Sequence, residues 1–395
     1  MMSRRRVATL TSGVIAAGLI GGFATVASSA TSRTAGSAPP GLSAISNPPA
    51  GLTTPPKVKP AYITIRVWSG PYQLAFAHTV GAQFTKATGV KVHWDTTDEL
   101  VSYQKIDQEI RAGIRPDADA SMQAQQRAYL DAVRGLTLPI SAKVAPNMLK
   151  AIHSVAAPAG TPASATTWAY ANPYSVTVAL IARDSVPSAD LTSWLDLTNP
   201  MFKHSIEFDQ TFWSTAFPVA KALHVNWAKN PPQSMNPVWK FIAKLKPNEV
   251  GIGNGQDITT ALTNGAAKIA VTCTCNVQST INSGAKLKIV VPKDGMFMVA
   301  DGYYIHKGIP AANYYYAEVF ANYLYTAATQ EYLASNQGLV PTVPGTPVPG
   351  YMKANPKAYP LSAAEIKAAN GVVAPIPLIA QYNDQWQIAF ENALK

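Results

Sequence analysis

The sequence predicts an α/β protein organised on a parallel sheet, with enough chain for two lobes. Three observations carry this. Between residues 62 and 133 strand and helix patterns alternate one for one, an order that right-handed crossovers turn into a parallel sheet. The 395 residues exceed what one α/β lobe needs. Hydrophobic residues make up 47% of the chain and charged residues 14%, the balance of a globular protein.

Each element rests on its own pattern. Tyr62 to Trp68 alternates and is β-rich, and Gly70 and Pro71 break it. Leu74, Ala77, Val80, Phe84 and Ala87 recur at helical spacing up to a stop at Gly89. Val90, Val92 and Trp94 alternate with polar residues as a second strand. Leu100, Tyr103, Ile106 and Ile110 mark a helix ending near Gly113. Asp117 to Ser121 reads as a third strand and Gln123 to Val133 as the next helix. Trp168 to Ala182 is a β-rich run longer than one ordinary strand, suited to crossing between lobes. Further on, Thr211–Leu223, Asn236–Leu245, Ile258–Leu262, Asn313–Thr326, Thr329–Ser335 and Gln385–Leu394 read as helices. Ile269–Cys273, Ile289–Pro292 and Val299–Ile305 read as strands, and Trp194–Pro200 as a turn-rich element. Ligands of such sheets sit beyond the carboxyl ends of the strands, which singles out Trp68-Ser69-Gly70-Pro71-Tyr72 and Ser121-Met122-Gln123.

The N-terminus has the plan of an export signal. Arg4, Arg5 and Arg6 precede a short apolar run from Val14 to Val26, and Ser28-Ser29-Ala30 offers small residues for cleavage. A leader over 1–30 predicts a periplasmic or secreted protein. Residues 31 to 60 carry seven prolines among small residues, a composition that builds neither helix nor central strand, so a linker is expected there. The formal charge is +10; without the three leader arginines, 29 basic residues face 22 acidic ones, about +7. The basic residues are scattered, which predicts a basic surface and no nucleic-acid groove.

Cys273 and Cys275 are the only cysteines, too close for ordinary zinc spacing and without a matching Cys/His pair. Either a small disulfide or two buried thiols at alternating strand positions fits them. The chain contains no G-x-S-x-G or H-E-x-x-H, and its six histidines are scattered, so no hydrolase machinery, metal site or cofactor motif is marked. A secreted hydrolase with a triad assembled in space stands as the alternative class. Tyr314, Tyr315 and Tyr316 are consecutive on a helix and so do not all face one ion.

Several motifs in order resemble one family. Val67-Trp68-Ser69 is followed by Phe84-Thr85-Lys86-Ala87-Thr88-Gly89-Val90-Lys91-Val92. Then come Trp194-Leu195-Asp196-Leu197-Thr198-Asn199-Pro200, Pro292-Lys293-Asp294-Gly295 with Asp301 and Ile305, and Gly338-Leu339-Val340-Pro341-Thr342. Together they resemble the periplasmic solute-binding proteins of ABC importers, nearest the spermidine/putrescine-binding branch, over roughly residues 62 to 345. The resemblance implies a two-lobed periplasmic-binding-protein fold of type II. Its discontinuous lobes would be 61–172 plus 300–345 and 173–299 plus 346–395. It implies a monomeric receptor that closes by hinge bending on a small solute and delivers it to a membrane permease, without catalysis.

The resemblance also assigns residues. Trp68 falls at the aromatic loop and Asp301 at the carboxylate that pairs with a ligand amine. Ser69, Tyr72, Ser121 and Gln123 accompany them from the strand ends. Tyr170 and Tyr174 flank Pro173 on the crossing segment, and Asp209, Trp213, Asn276 and Tyr303 complete the candidate set. The polyamine pattern is incomplete. Val299 stands where a Trp is expected two residues before Asp301, Cys273-Thr274-Cys275-Asn276 replaces another, and Asp209 and Trp213 stand near an expected Glu. With Asp301 and Trp68 retained, a polyamine or related organic cation is still favoured, with an anionic or metal solute in the same receptor role as the alternative.

Overall fold

The computed structural model describes residues 45–395. The leader, its cleavage point and the first part of the expected linker lie outside the described residues. The helices and strands used below are β1 (Tyr62–Arg66), α1 (71–88, with a π-helical turn at Ala77–Gly81), β2 (Lys91–Asp95), α2 (Glu99–Arg111), β3 (Ala120–Ala124) and α3 (Gln125–Val133). They continue with β4 (Ala171–Arg183), β5 (Ile206–Asp209), α4 (Phe212–Ala222), α5 (Asn236–Ala243), β6 (Glu249–Gly253), β7 (Ile269–Cys273) and α6 (Thr274–Asn282). Last come β8 (Leu287–Val290), β9 (Phe297–His306), α7 (Ala311–Leu324), α8 (Ala327–Gln337) and α9 (Ile376–Leu394).

One sheet runs through the protein in the order β2-β1-β3-β9-β4-β7-β5-β6, with β8 also pairing β4. β1 pairs β2 and β3 in parallel, as the alternating pattern requires. A second parallel set, β7, β5 and β6, lies on the other side of β9 and β4. These two antiparallel strands link the halves. β9 pairs β3 through Asp301–Ile305 and β4 through Phe297–Asp301 and again at Tyr303, with a register shift between Asp301 and Tyr303 on the β4 side. Asp301 pairs with both neighbours, immediately before that irregularity.

The long run near 168–182 is the 13-residue β4, buried over all but its last residue. The third strand begins at Ala120, later than the sequence indicates, and Asp119 just before it is bonded through its backbone to Thr64 and His306. Its carboxylate accepts from Thr64 N at 2.8 Å and Asn313 Nδ2 at 2.9 Å. Residues 45–60 differ from a free linker. Ile45 is buried in the main core, and Gly51 lies so close to Glu318, Ser141 and Tyr314 that an added Cβ would meet Glu318 Oε1 at 2.6 Å. Proline excludes helix and ladder here, but it does not prevent an extended segment from packing.

Three of the sequence motifs turn out to be joints. Trp194 Nε1 donates to Gly295 O at 2.7 Å, and Asp294 accepts from Trp194 N at 3.0 Å, so the second and third motifs lock together. Thr342 Oγ1 and Gln330 Nε2 both donate to Pro173 O at 2.7 Å, anchoring β4 at its crossing point. α9 packs against α3 on one side and against α4 and α5 on the other.

Candidate functional site

The site forms where β9 and β4 cross. Asp301 is 8% exposed and lies opposite Tyr174 in the ladder. Tyr72, in the first turn of α1, donates its hydroxyl to Asp301 Oδ2 at 3.0 Å and forms a short hydrogen bond with the Tyr174 hydroxyl. Pro71 at the start of α1 fixes the turn that carries Tyr72. Trp68 meets Tyr72 edge-on at 5.0 Å between ring centroids, and Phe76 stacks behind Tyr72 at 5.2 Å. Four of the expected elements thus converge: Trp68, Tyr72, Tyr174 and Asp301.

Burial pushes the Asp301 carboxyl up to about 7, with the nearby Glu99 charge adding to it and the Tyr72 and Tyr174 hydroxyls pulling it back. Burial also raises both tyrosines, and the Asp301 charge beside them adds to that rise. Among the described residues no basic side chain pairs with Asp301. The arrangement is a buried acid with hydroxyls and aromatic faces around it, suited to a cationic group that would restore its charge.

Asp209 sits at the carboxyl end of β5 and is closed by local bonds. It accepts from Thr211 Oγ1 at 2.7 Å, Thr211 N at 3.0 Å and Thr272 Oγ1 at 2.8 Å. Burial raises its carboxyl above the usual range against the pull of those bonds. Asn276 donates to Thr272 Oγ1 at 2.8 Å and so continues the same chain of contacts. Trp213 is nearly buried in the first turn of α4, with its ring 6.2 Å from Phe297 and its indole N–H unpartnered.

Other candidates are placed elsewhere. Ser69 is exposed. Ser121 is fully buried and shares a 2.8 Å hydrogen bond with His306 Nε2, whose ring burial pushes down to about 3 and keeps neutral. Tyr303 donates to Ala317 O at 2.9 Å in the core beneath α7. Tyr170 is buried against Gly302. Gln123 is buried with both amide atoms unpartnered. Cys273 and Cys275 are free thiols, and Cys275 lies in the first turn of α6, so neither the disulfide nor the alternating strand arrangement describes them. Burial, more than its neighbour Cys275, raises the Cys273 thiol.

The sequence reading missed Glu99. It accepts from Trp68 Nε1 at 2.9 Å and thereby fixes the indole. Its signal was available: Glu99 follows the carboxyl end of β2, the same rule that marked Trp68 and Gln123. A surface depression of about 380 Å³ lies between α1, α6 and α8, lined by Pro71, His78, Asn282 and Gln337 and not by Asp301. The chemistry around Asp301 is the better guide, because that site is closed over. Among the described residues no cluster of His, Cys, Asp and Glu is placed to hold a metal ion, and no helix is long and apolar enough to cross a membrane.

Residues 79–360 match the model of the bacterial extracellular solute-binding protein family. The chain belongs to that family. Asp301, Tyr174, Asp209 and Glu99 fall within the match; Trp68 and Tyr72 precede it. No curated protein matches the sequence. Solved structures share the fold at low identity. A substrate-binding protein of an ABC transporter from Bradyrhizobium japonicum USDA 110 is 16% identical, with a TM-score of 0.70 over 85% of this chain and 100% of its own. A periplasmic binding protein of A. tumefaciens R10, in complex with agropinic acid, is 19% identical, with a TM-score of 0.67 over 85% and 98%. A spermidine/putrescine transporter substrate-binding protein from Streptococcus pneumoniae is 16% identical, with a TM-score of 0.63 over 85% and 100%. The solute-binding proteins share the two-lobed α/β architecture, and β4 and β9 are its crossing strands here.

Proposed function

We propose that this solute-binding protein captures a small organic cation, a polyamine or related amine, at Asp301 and delivers it to an ABC permease. The observation that carries the reading is the unpaired, buried Asp301 carboxyl held by Tyr72 and Tyr174. An ammonium placed there gains a charge-assisted bond in a site that water screens poorly. Trp68, fixed by Glu99, supplies an aromatic wall for the cation or its alkyl chain. The net positive charge would steer anions at long range, but salt screens that field within about 8–10 Å, so local geometry sets affinity.

Capture requires opening and closing, because Asp301 is nearly inaccessible as the protein stands. The expected lobes, 61–172 plus 300–345 and 173–299 plus 346–395, meet at the crossing strands, and hinge motion about β4 and β9 would open the site. The receptor works without catalysis, as a monomer, and is exported by a leader removed near Thr31. Native mass spectrometry of protein purified without denaturation tests the receptor role by revealing a carried amine. N-terminal sequencing of the exported form tests the leader, and an intact Met1 would count against cleavage.

A further inference from the structure

The two cysteines stand at one joint. Cys273 is the last residue of β7 and the N-cap of α6, and Cys275 is the second residue of that helix. A side chain at an N-cap folds over the first turn, where a polar one accepts a backbone N–H. Cys273 makes no such capping bond. Its thiol is instead in hydrogen-bonding contact with the thiol of Cys275. One helical residue, Thr274, separates them, and helix geometry puts Cα atoms two residues apart at about 5.4 Å. Disulfides ordinarily join Cα atoms about 4.4–6.8 Å apart, which brackets this spacing.

The two thiols differ in access. Cys273 is 6% exposed, opposite Val178 in the ladder with β4, and burial, with Cys275 beside it, pushes its thiol up. Cys275 is half-buried at the edge of the core. One reachable thiol in contact with one sheltered thiol is the arrangement of an attacking and a resolving cysteine. A bridge between them closes a very short loop, from which the unfolded chain loses little entropy, and so small a ring stores strain. Such a bond is a poor staple and is readily reduced, which suits a reversible couple.

The joint also borders the solute site. Cys275 lies near enough to Tyr72 and Tyr174 for its charge to raise both hydroxyls. Both buried acids, Asp301 and Asp209, act on Cys273. Asn276, next along α6, bonds Thr272, which in turn bonds Asp209.

We propose that Cys273 and Cys275 form a reversible dithiol–disulfide couple in the wall of the solute site, oxidised by small-molecule disulfides. The Cys275 thiolate attacks one sulfur of a disulfide RSSR, forming a protein–S–S–R mixed disulfide and releasing RS−. Cys273 then gives up its proton and attacks the Cys275 sulfur, closing the protein disulfide and releasing the second RS−. Two electrons pass from the protein to RSSR, and the two thiol protons end on two RSH. An exported protein meets the oxidising conditions in which this exchange runs forward. Closing the bond removes both S–H donors from beside Tyr72 and Tyr174. The exchange needs no solute, so it stands or falls separately from the ammonium reading of Asp301.

The test takes full-length exported protein, reduced with dithiothreitol and desalted, and incubates it folded with oxidised glutathione at about pH 8, where ordinary thiols are partly ionised. Acid stops the exchange and intact mass reads it. Wild type should lose two hydrogens, carry no glutathione and regain both hydrogens in dithiothreitol. Cys273→Ala should stop with one glutathione, mapped to Cys275. Cys275→Ala should stay unmodified until it is unfolded in urea. Wild type that stops at a glutathione adduct, or forms linked dimers, overturns the couple, because the resolving step then fails. Wild type that stays reduced when folded but reacts in urea overturns it as well, and that arm needs no variant to fold. Equal reaction of the two folded variants overturns the division into attacker and resolver on which the couple rests.

Discussion

Protonation of Asp301 should compete with the ligand, and the competition gives the sharpest test of the site. Its carboxyl titrates at about 7 in the unliganded protein, chiefly because it is buried. An ammonium needs the ionised form. About half of Asp301 is ionised at pH 7, about a tenth at pH 6 and about a hundredth at pH 5. The amine itself stays charged throughout, since a lysine-like ammonium ordinarily titrates at about 10.4. Affinity should therefore be flat above about pH 8 and fall by about tenfold per unit below pH 6, with one proton released per ligand bound at low pH. Stability without ligand has the opposite sign. The folded carboxyl holds its proton to higher pH than the unfolded chain does. Its contribution is fully present below about pH 4 and is lost as pH rises through about 7. Asp301→Asn keeps the shape but not the charge. It should cost on the order of 2–5 kcal/mol of amine binding and abolish the pH dependence between 5 and 8. The measurement is calorimetric titration of both forms with the tightest-binding amine in buffers of different ionisation enthalpy. Equal wild-type affinity at pH 5.5 and pH 8 would refute the reasoning.

Three further substitutions probe the surroundings. Trp68→Ala should weaken amine binding by about 1–2 kcal/mol through lost cation–π contact, and an unchanged Kd would remove the indole from the site. Tyr72→Phe deletes a hydroxyl that holds Asp301 down, so the midpoint of the affinity-against-pH curve should move above 7; a downward shift would contradict the hydrogen bond. Gly295→Ala should destabilise the fold by about 2–4 kcal/mol in denaturant unfolding. Its φ is +98°, and an added Cβ would stand 1.9 Å from Asn370 O, so wild-type stability in that variant would show that the loop yields.

The parallel half of the fold was legible because its signals are local. Alternation in Tyr62–Arg66 and helical spacing up to Gly89 depend on neighbours in sequence, and Gly89 does take the left-handed conformation that ends the helix. The crossing was partly legible, since the 13 residues of β4 exceed an ordinary strand. What the pattern did not contain was the packing of residues 45–60 against Glu318, because composition reports which ladders a segment refuses, not which surface it lies on. The motifs that carried the resemblance are of the same kind. Trp194 with Gly295, and Thr342 with Pro173, hold the framework together, so they mark the fold and leave the ligand open.

The site divides along the same physical line. Trp68 was found because a strand-end rule and a motif point at it independently, Tyr72 by the strand-end rule and Asp301 by the motif, and the fold brings them within hydrogen-bonding and ring-contact range. Ser121 obeys the same strand-end rule and Tyr303 stood in the same candidate set, yet their hydroxyls are spent on His306 and Ala317, partners 185 and 14 residues away in sequence. Sequence position selects which residues reach the end of the sheet; it does not tell which of them arrive with unspent hydrogen-bonding capacity. Arg66 shows the reverse case. On a strand it reads as one polar residue in an apolar alternation, and only burial without a counter-charge turns it into a group that needs a partner. Asp301 has the same standing with the opposite sign, on the other side of one indole ring.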